Sequence, residues 1–359
     1  ASSVVGGYLI GASAPLYPDH GGPRAATVTS VSAASGASRW RHDLAQGAAP
    51  GLVGVTTTRP LVAGGAVWAG YSLVSETEPS SCGSAELVRL DERSGAVLSR
   101  TAGAPSVLLA DGDTVVTDLV TCSGQASGLL VVDADDPTQV RWRGPAGASI
   151  DDVVRVGDHL VVQVAGFPGE LQAFAADGCG QPTCGPVWTV PDQPVHLAAV
   201  SDTRVATLTG TWGAGSVAAV VDVTTGATVW DSHVLAAGNE LLAVSDGVLY
   251  VLVDRLLSAY PAAGCGAARC AALWTATIPA PAFANLAVAG GVVYASGVDA
   301  FDGGFVSAFA AGGCGAATCP SVAQWSVGDW PTDLIVSGGR LYVADAGGTV
   351  TALAPAPGP

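Results

Sequence analysis

Lysine and methionine are missing from these 359 residues, asparagine occurs only as Asn239 and Asn285, and all 14 positive charges are arginine. Without lysine, neither Schiff-base chemistry nor a P-loop lysine is available. Charged residues make up only 12% of the chain and leave a balance of −16, the opposite of the clustered cations that displace counterions from a phosphate backbone. Nucleic acid is therefore not expected as a partner, and anionic lipid is disfavoured for the same reason. No apolar run reaches the ~18 residues of a membrane-spanning helix. The sequence has no Gly-x-Ser-x-Gly, no His-Glu-x-x-His and no adjacent cysteines, and its histidines (His20, His42, His159, His196, His233) are scattered. What is abundant instead is Gly, Ala, Val and Pro, a bias that points to a GC-rich genome, as in actinobacteria.

That abundance is ordered. Short turns at Gly6-Gly7, Gly64-Gly65, Asp111-Gly112, Gly157-Asp158, Ser201-Asp202, Asp246-Gly247, Gly290-Gly291 and Gly338-Gly339 each separate two apolar runs, spaced 44 to 48 residues apart after a first interval of 58. A period near 45 residues marks a radial or stacked repeat array. Each repeat reads as four short strands: A, the turn, a B strand rich in Val, Leu and Tyr, a variable loop, then C and D. Short, evenly spaced strands between Gly-rich turns predict an all-β, eight-bladed β-propeller of four-stranded antiparallel blades, with seven blades as the alternative. The eighth repeat stops before a D strand, so its blade is either closed by the N-terminal residues or left three-stranded. Residues 1–354 form the predicted domain and 355–359 a tail, and a monomer is expected.

A Trp closes most D strands (Trp40, Trp142, Trp188, Trp230, Trp274, Trp325), with Leu98 in the corresponding place of repeat two. One Trp at a fixed place per repeat points to packing between blades rather than to a ligand platform.

The eight cysteines assign a compartment. Cys179/Cys184, Cys265/Cys270 and Cys314/Cys319 each enclose four residues at the C-to-D turn, and zinc would require a matching second pair or histidines nearby. Regular local pairs read as disulfides in an oxidising location, extracellular or at the cell surface, with any leader or anchor outside these residues. Each short loop contributes about 2 kcal/mol and is expected to stop its own outer strand from fraying. Cys82 and Cys122 lie in the B-to-C loops of adjacent repeats, so a Cys82–Cys122 bridge between blades is expected.

The repeat, with its turn, Tyr-bearing strand, Ala-Val-Val-Asp-Val strand, Thr-Gly turn and Trp (Val220 to Trp230), resembles the PQQ-like quinoprotein β-propeller family. That family includes PQQ-dependent alcohol dehydrogenases, the BamB assembly lipoprotein and secreted proteins without assigned activity. The dehydrogenase branch implies an adjacent Cys-Cys pair, which this chain lacks, so PQQ is not expected and the resemblance implies no other cofactor. What it implies is a non-catalytic binding or scaffolding propeller for a protein or glycan at the cell envelope. The alternative is a degenerate quinoprotein or a hydrolase with acidic channel-mouth residues.

Strand A lines a propeller's axis, and its leading residues include Arg59, Asp152, His196, Glu240, Asn285 and Asp333. These are either hydrated channel groups or a ligand-binding mouth. Asp152, Glu240, Asn285 and Asp333 carry the oxygen donors that calcium prefers, which makes a structural calcium the candidate ion. The B-to-C loops are long in repeats one, two, three and seven, and loops on a rigid scaffold carry binding specificity. Tyr17, His20, Glu76, Glu78, Trp212, Phe301 and Asp302 are the candidate partner contacts.

Overall fold

A computed structural model describes residues 2–5, 7–13, 27–44, 46, 52–56, 59–75, 82–103, 106–120, 126–145, 147, 149–165, 169–191, 194–211, 215–236, 238–280, 282–298, 303–328, 330–345 and 349–354. They form two compact units, Ala1–Ile150 with Asp177–Gly185, and Asp151–Ala176 with Pro186–Pro359. All regular structure among the described residues is β, in eight sheets that follow one another along the chain. This is the strand plan of an eight-bladed β-propeller.

Blade one comprises Ser2–Val5, Tyr8–Ser13, Thr27–Ser32 and Ser38–Asp43. In blade two strand A is split into Leu52–Thr56 and Leu61–Ala63, both paired to Ala66–Ser75, a split that lengthens the first interval between turns. Cys82–Asp91 and Val97–Ala102 complete it. Blade three is Ser106–Asp111, Thr114–Val120, Ala126–Asp133 and Val140–Arg143, and blade four is Ser149–Val156, His159–Ala165, Glu170–Ala175 and Trp188–Pro191. Blade five is Pro194–Ser201, Arg204–Thr211, Gly215–Asp222 and Thr228–Ser232. Glu240–Ser245, Val248–Val253, Leu256–Pro261 and Trp274–Thr277 form blade six. Blade seven is Ala282–Ala289, Val292–Val298, Gly304–Ala310 and Ala323–Val327. Among the described residues blade eight has three strands, Pro331–Ser337, Arg340–Asp345 and Val350–Leu353.

Middle strands touch a neighbouring blade on both faces, which is why they read as continuous apolar runs: Val292–Val298 is buried throughout. Each core cluster accordingly mixes two blades, as where Leu208 and Val220 of blade five pack with Leu249 and Val251 of blade six.

The closing tryptophans of blades one, four, five and six seat on glycine; Trp325 stands two residues beyond their register, which Ala323 occupies in blade seven. The Trp40 indole donates to the Glu92 carbonyl at 2.9 Å, Trp188 to Val223 at 2.6 Å, Trp230 to Ala262 at 3.3 Å and Trp274 to Ala311 at 3.2 Å, each in the next blade. Under each ring lies a glycine of the next C-to-D turn. A Cβ on Gly95, Gly226, Gly264 or Gly313 would stand 2.6 to 3.0 Å from the indole, too close for van der Waals contact. Leu98 does not take this role in blade two. A bulge places Ser99 at the Trp register, opposite Arg89, and leaves Leu98 49% exposed. Strand B instead contributes the fully buried Trp68, which packs in one cluster with Ala134 of blade three and lies with its ring 5.8 Å from the Arg89 guanidinium, while Arg89 donates to the Asp135 carbonyl at 2.7 Å.

Cys179–Cys184, Cys265–Cys270 and Cys314–Cys319 are disulfides, as expected. Their action differs from that of a pin on their own outer strand, because each hairpin reaches the outer strand of the preceding blade and adds a short parallel ladder. The Arg143 N–H donates to the Pro182 carbonyl at 2.9 Å, and the Cys184 N–H donates back to the Arg143 carbonyl at 2.8 Å. Thr275, Ala317 and Cys319 repeat this pair at 2.8 Å each, and the Asp231 N–H bonds the Ala268 carbonyl at 2.9 Å, with Arg269 paired to the Asp231 carboxylate at 2.8 Å. The closed loop holds the hairpin extended enough to act as a fifth strand, a clasp between blades. Cys82 is the first residue of strand C, opposite Val74, rather than a loop residue. Its side chain and Cys122 lie outside the described residues, as does the predicted tail 355–359.

Candidate functional site

In the second unit, strand A of blades four, five, six and eight carries Asp152, His196, Glu240 and Asp333. Asp152 ties two blades together: one oxygen accepts from the Val153 N–H at 2.8 Å and the other from the Leu197 N–H, beside His196, at 3.2 Å. Asp333 is only 3% exposed and accepts from the Leu334 N–H at 2.9 Å. Backbone N–H donors engage both carboxylates, across to another blade at the half-buried Asp152 and within its own strand at the buried Asp333.

Glu240 is different. Its Oε1 accepts from the Ser216 hydroxyl, and an added Cβ on Gly210 would run into the carboxylate, so that glycine provides the room it occupies. Ser216 is held by two backbone bonds with Leu235, at 3.2 and 2.7 Å. The second carboxylate oxygen, Oε2, is buried with no hydrogen-bond partner among the described residues. Burial raises the carboxyl above its ordinary range, opposed by the Ser216 bond and by the charge interaction with His196. Of the sequence-predicted residues, His196 and Glu240 are thus brought together, with Leu197 linking Asp152 to them. Arg59 is exposed and lies in the break between the two pieces of blade two's strand A, not at its leading end. Ser216 and Gly210 were not singled out in the sequence, although the glycine-rich run around Trp212 is visible there.

The first unit holds a polar cluster with no signature in the sequence. The Arg100 guanidinium bonds the Tyr71 hydroxyl, which bonds Glu86. The same guanidinium reaches the Leu44 carbonyl at 3.2 Å and the buried His42 ring at 3.5 Å. Strand D of blade one is tied to three strands of blade two in this way. Burial, then Arg100, lowers the His42 pKa, with Asp43 opposing.

No group of three or more His, Cys, Asp or Glu among the described residues is placed to hold a metal ion. The Asn285 side chain and all seven loop candidates (Tyr17, His20, Glu76, Glu78, Trp212, Phe301 and Asp302) lie outside the described residues.

Residues 213–359 match the family model described as outer membrane protein assembly factor BamB. The structure of BamB from Moraxella catarrhalis is similar at a TM-score of 0.66 and 17% identity, over 98% of this chain and 92% of that one. The computationally designed Ika8 protein gives 0.68 at 12% identity, over 99% and 95%. Sqt1 of Saccharomyces cerevisiae gives 0.62 at 10% identity, over 97% and 93%. The sequence matches none of the curated proteins. These identities speak for the fold alone, and together with the family model they bear out the resemblance to PQQ-like, BamB-like propeller repeats.

Proposed function

From the BamB-type repeats carried by residues 213–359, we propose that this chain is an exported, non-catalytic scaffold that recognises a protein or glycan partner through the face bearing its long B-to-C loops. The observation that carries the reading is the match to a family whose description is that of an assembly factor, a protein that acts on other proteins. Three disulfides, which persist in oxidising compartments, support the exported location. The binding assignment also accords with Asp152 and Asp333, whose carboxylates are engaged by backbone N–H groups. The reading includes no quinone cofactor, since the adjacent cysteine pair implied by the dehydrogenase branch is missing from the sequence. Capture of partners from the native envelope tests it: alanine at Tyr17, Trp212 and Phe301 together is expected to abolish capture by the folded protein. Unchanged capture by that variant would refute the assignment to the loop face.

A further inference from the structure

We propose that Ala323–Val327, the outer strand of blade seven, is an open docking edge on which an extended, uncharged, small-residue segment of a partner protein adds as a parallel strand. This deepens, and rests on, the reading of the chain as a protein-binding scaffold.

Three other outer edges of this chain are covered in one way. In blades three, five and six the residue after the closing Trp (Arg143, Asp231, Thr275) turns its N–H away from its own sheet. Each gives it to the carbonyl two residues before the second cysteine of a disulfide hairpin. The occupants are Pro182-Thr183-Cys184, Ala268-Arg269-Cys270 and Ala317-Thr318-Cys319, three short extended segments in one geometry. An outer strand of this fold is therefore a receptor for such a segment.

Blade seven has the receptor without an occupant among the described residues. Its bulge is that of blade six: the Val322 N–H bonds the Ala308 carbonyl at 2.8 Å as the Leu273 N–H bonds Ala259 at 2.7 Å, and Gln324 pairs with Ser307 as Thr275 pairs with Ser258. Gln324 thus stands where Thr275 meets its clasp, and Ser326 is the next residue of the same parity. Neither backbone group has a partner among the described residues. A groove of about 310 Å³ adjoins the strand on the side toward blade six, lined by Gln324, Ser326 and Val327 of the strand, Gly304 and Phe305 of its inner neighbour, and Pro279 of blade six. None of its lining residues is charged, which matches the neutral Ala-Ala-Thr type of segment the neighbouring edge holds. Among the described residues blades one, two and four are also unclasped, but the outer strand of blade four ends in Pro191 and those of blades one and two carry arginine (Arg39, Arg41 and Arg100), features that oppose strand addition. Blade seven carries no such block, and an unprotected edge is a template for strand addition.

The test uses the full chain, labelled with nitrogen-15, and a disulfide-closed peptide with the sequence of residues 313–319 as the probe. The expected result is a saturable shift of the Gln324 and Ser326 amides, with slowed hydrogen exchange at both. Gln324→Pro removes the outward donor without breaking a bond inside the sheet, so this variant should keep its melting temperature and lose the peptide shift. Absence of any shift at 324–327 at millimolar peptide, equal binding by Gln324→Pro, or amides already protected in the free protein would each overturn the proposal. A failure of this kind leaves the scaffold reading to its own capture test. Conversely, capture lost with Gln324→Pro but retained in the loop variant would refute the loop face and support the edge.

Discussion

Gly264 and Gly36 share a left-handed backbone, with φ of +92° and +71°, but only Gly264 lies beneath an indole, that of Trp230, 2.8 Å from where its Cβ would be. Nothing stands within 4 Å of the corresponding position at Gly36. Gly36→Ala is therefore expected to lose about 1 kcal/mol of stability, the backbone cost alone. Gly264→Ala should lose a further ~1–3 kcal/mol from overpacking, a difference read from urea midpoints at constant m-value. At His42 the sign follows from the lowered pKa: the folded chain binds the proton less well than the unfolded one. The stabilising contribution of the neutral ring is full above the ordinary value of 6.5 and is lost as pH falls through the lowered folded value. Arg100 faces the ring from blade two, itself bonded to Tyr71 and Glu86, and Asp43 adjoins it. Denaturation at pH 7.5 and 5.5 should show wild type losing more stability on acidification than His42→Gln, and equal losses would exclude the ring as the cause.

At the scale of the element, a hairpin neck here does the work of a strand. Loop closure alone gives the Cys265–Cys270 bond about 2 kcal/mol. Replacing both cysteines by alanine should cost that much and also expose the Asp231 amide, 38 residues from Arg269, to fast exchange, because the parallel ladder loses its extended shape. A loss of stability with Asp231 still protected would restore the simpler picture of a pin on its own outer strand. The spacing of the cysteines was legible in the sequence and their reach was not, since pairing between blades depends on register that no local pattern encodes. Leu98 shows the same limit: a one-residue bulge moved it out of the packed position, and the buried Trp of this blade is Trp68, on strand B. The Tyr71–Glu86–Arg100–His42 cluster joins residues up to 58 apart, and no local pattern announces it.

For the whole molecule, the repeat period was the strongest signal, because eight Gly, Asp or Ser turns and a recurrent Trp each report the same geometry independently. The strand-A residues were legible only as positions. Whether a carboxylate there binds a ligand or ties a strand is decided by the N–H groups it meets, as at Asp152 and Leu197, and a sequence does not show those. On the proposed reading, outer strands of this propeller are receptors, clasped in blades three, five and six and, among the described residues, open in blade seven. Residue-resolved native-state hydrogen exchange of the intact chain tests it most directly. Protected amides at Arg143, Asp231 and Thr275 with rapid exchange at Gln324 are the predicted result, and uniform protection or uniform exchange across all four would contradict it.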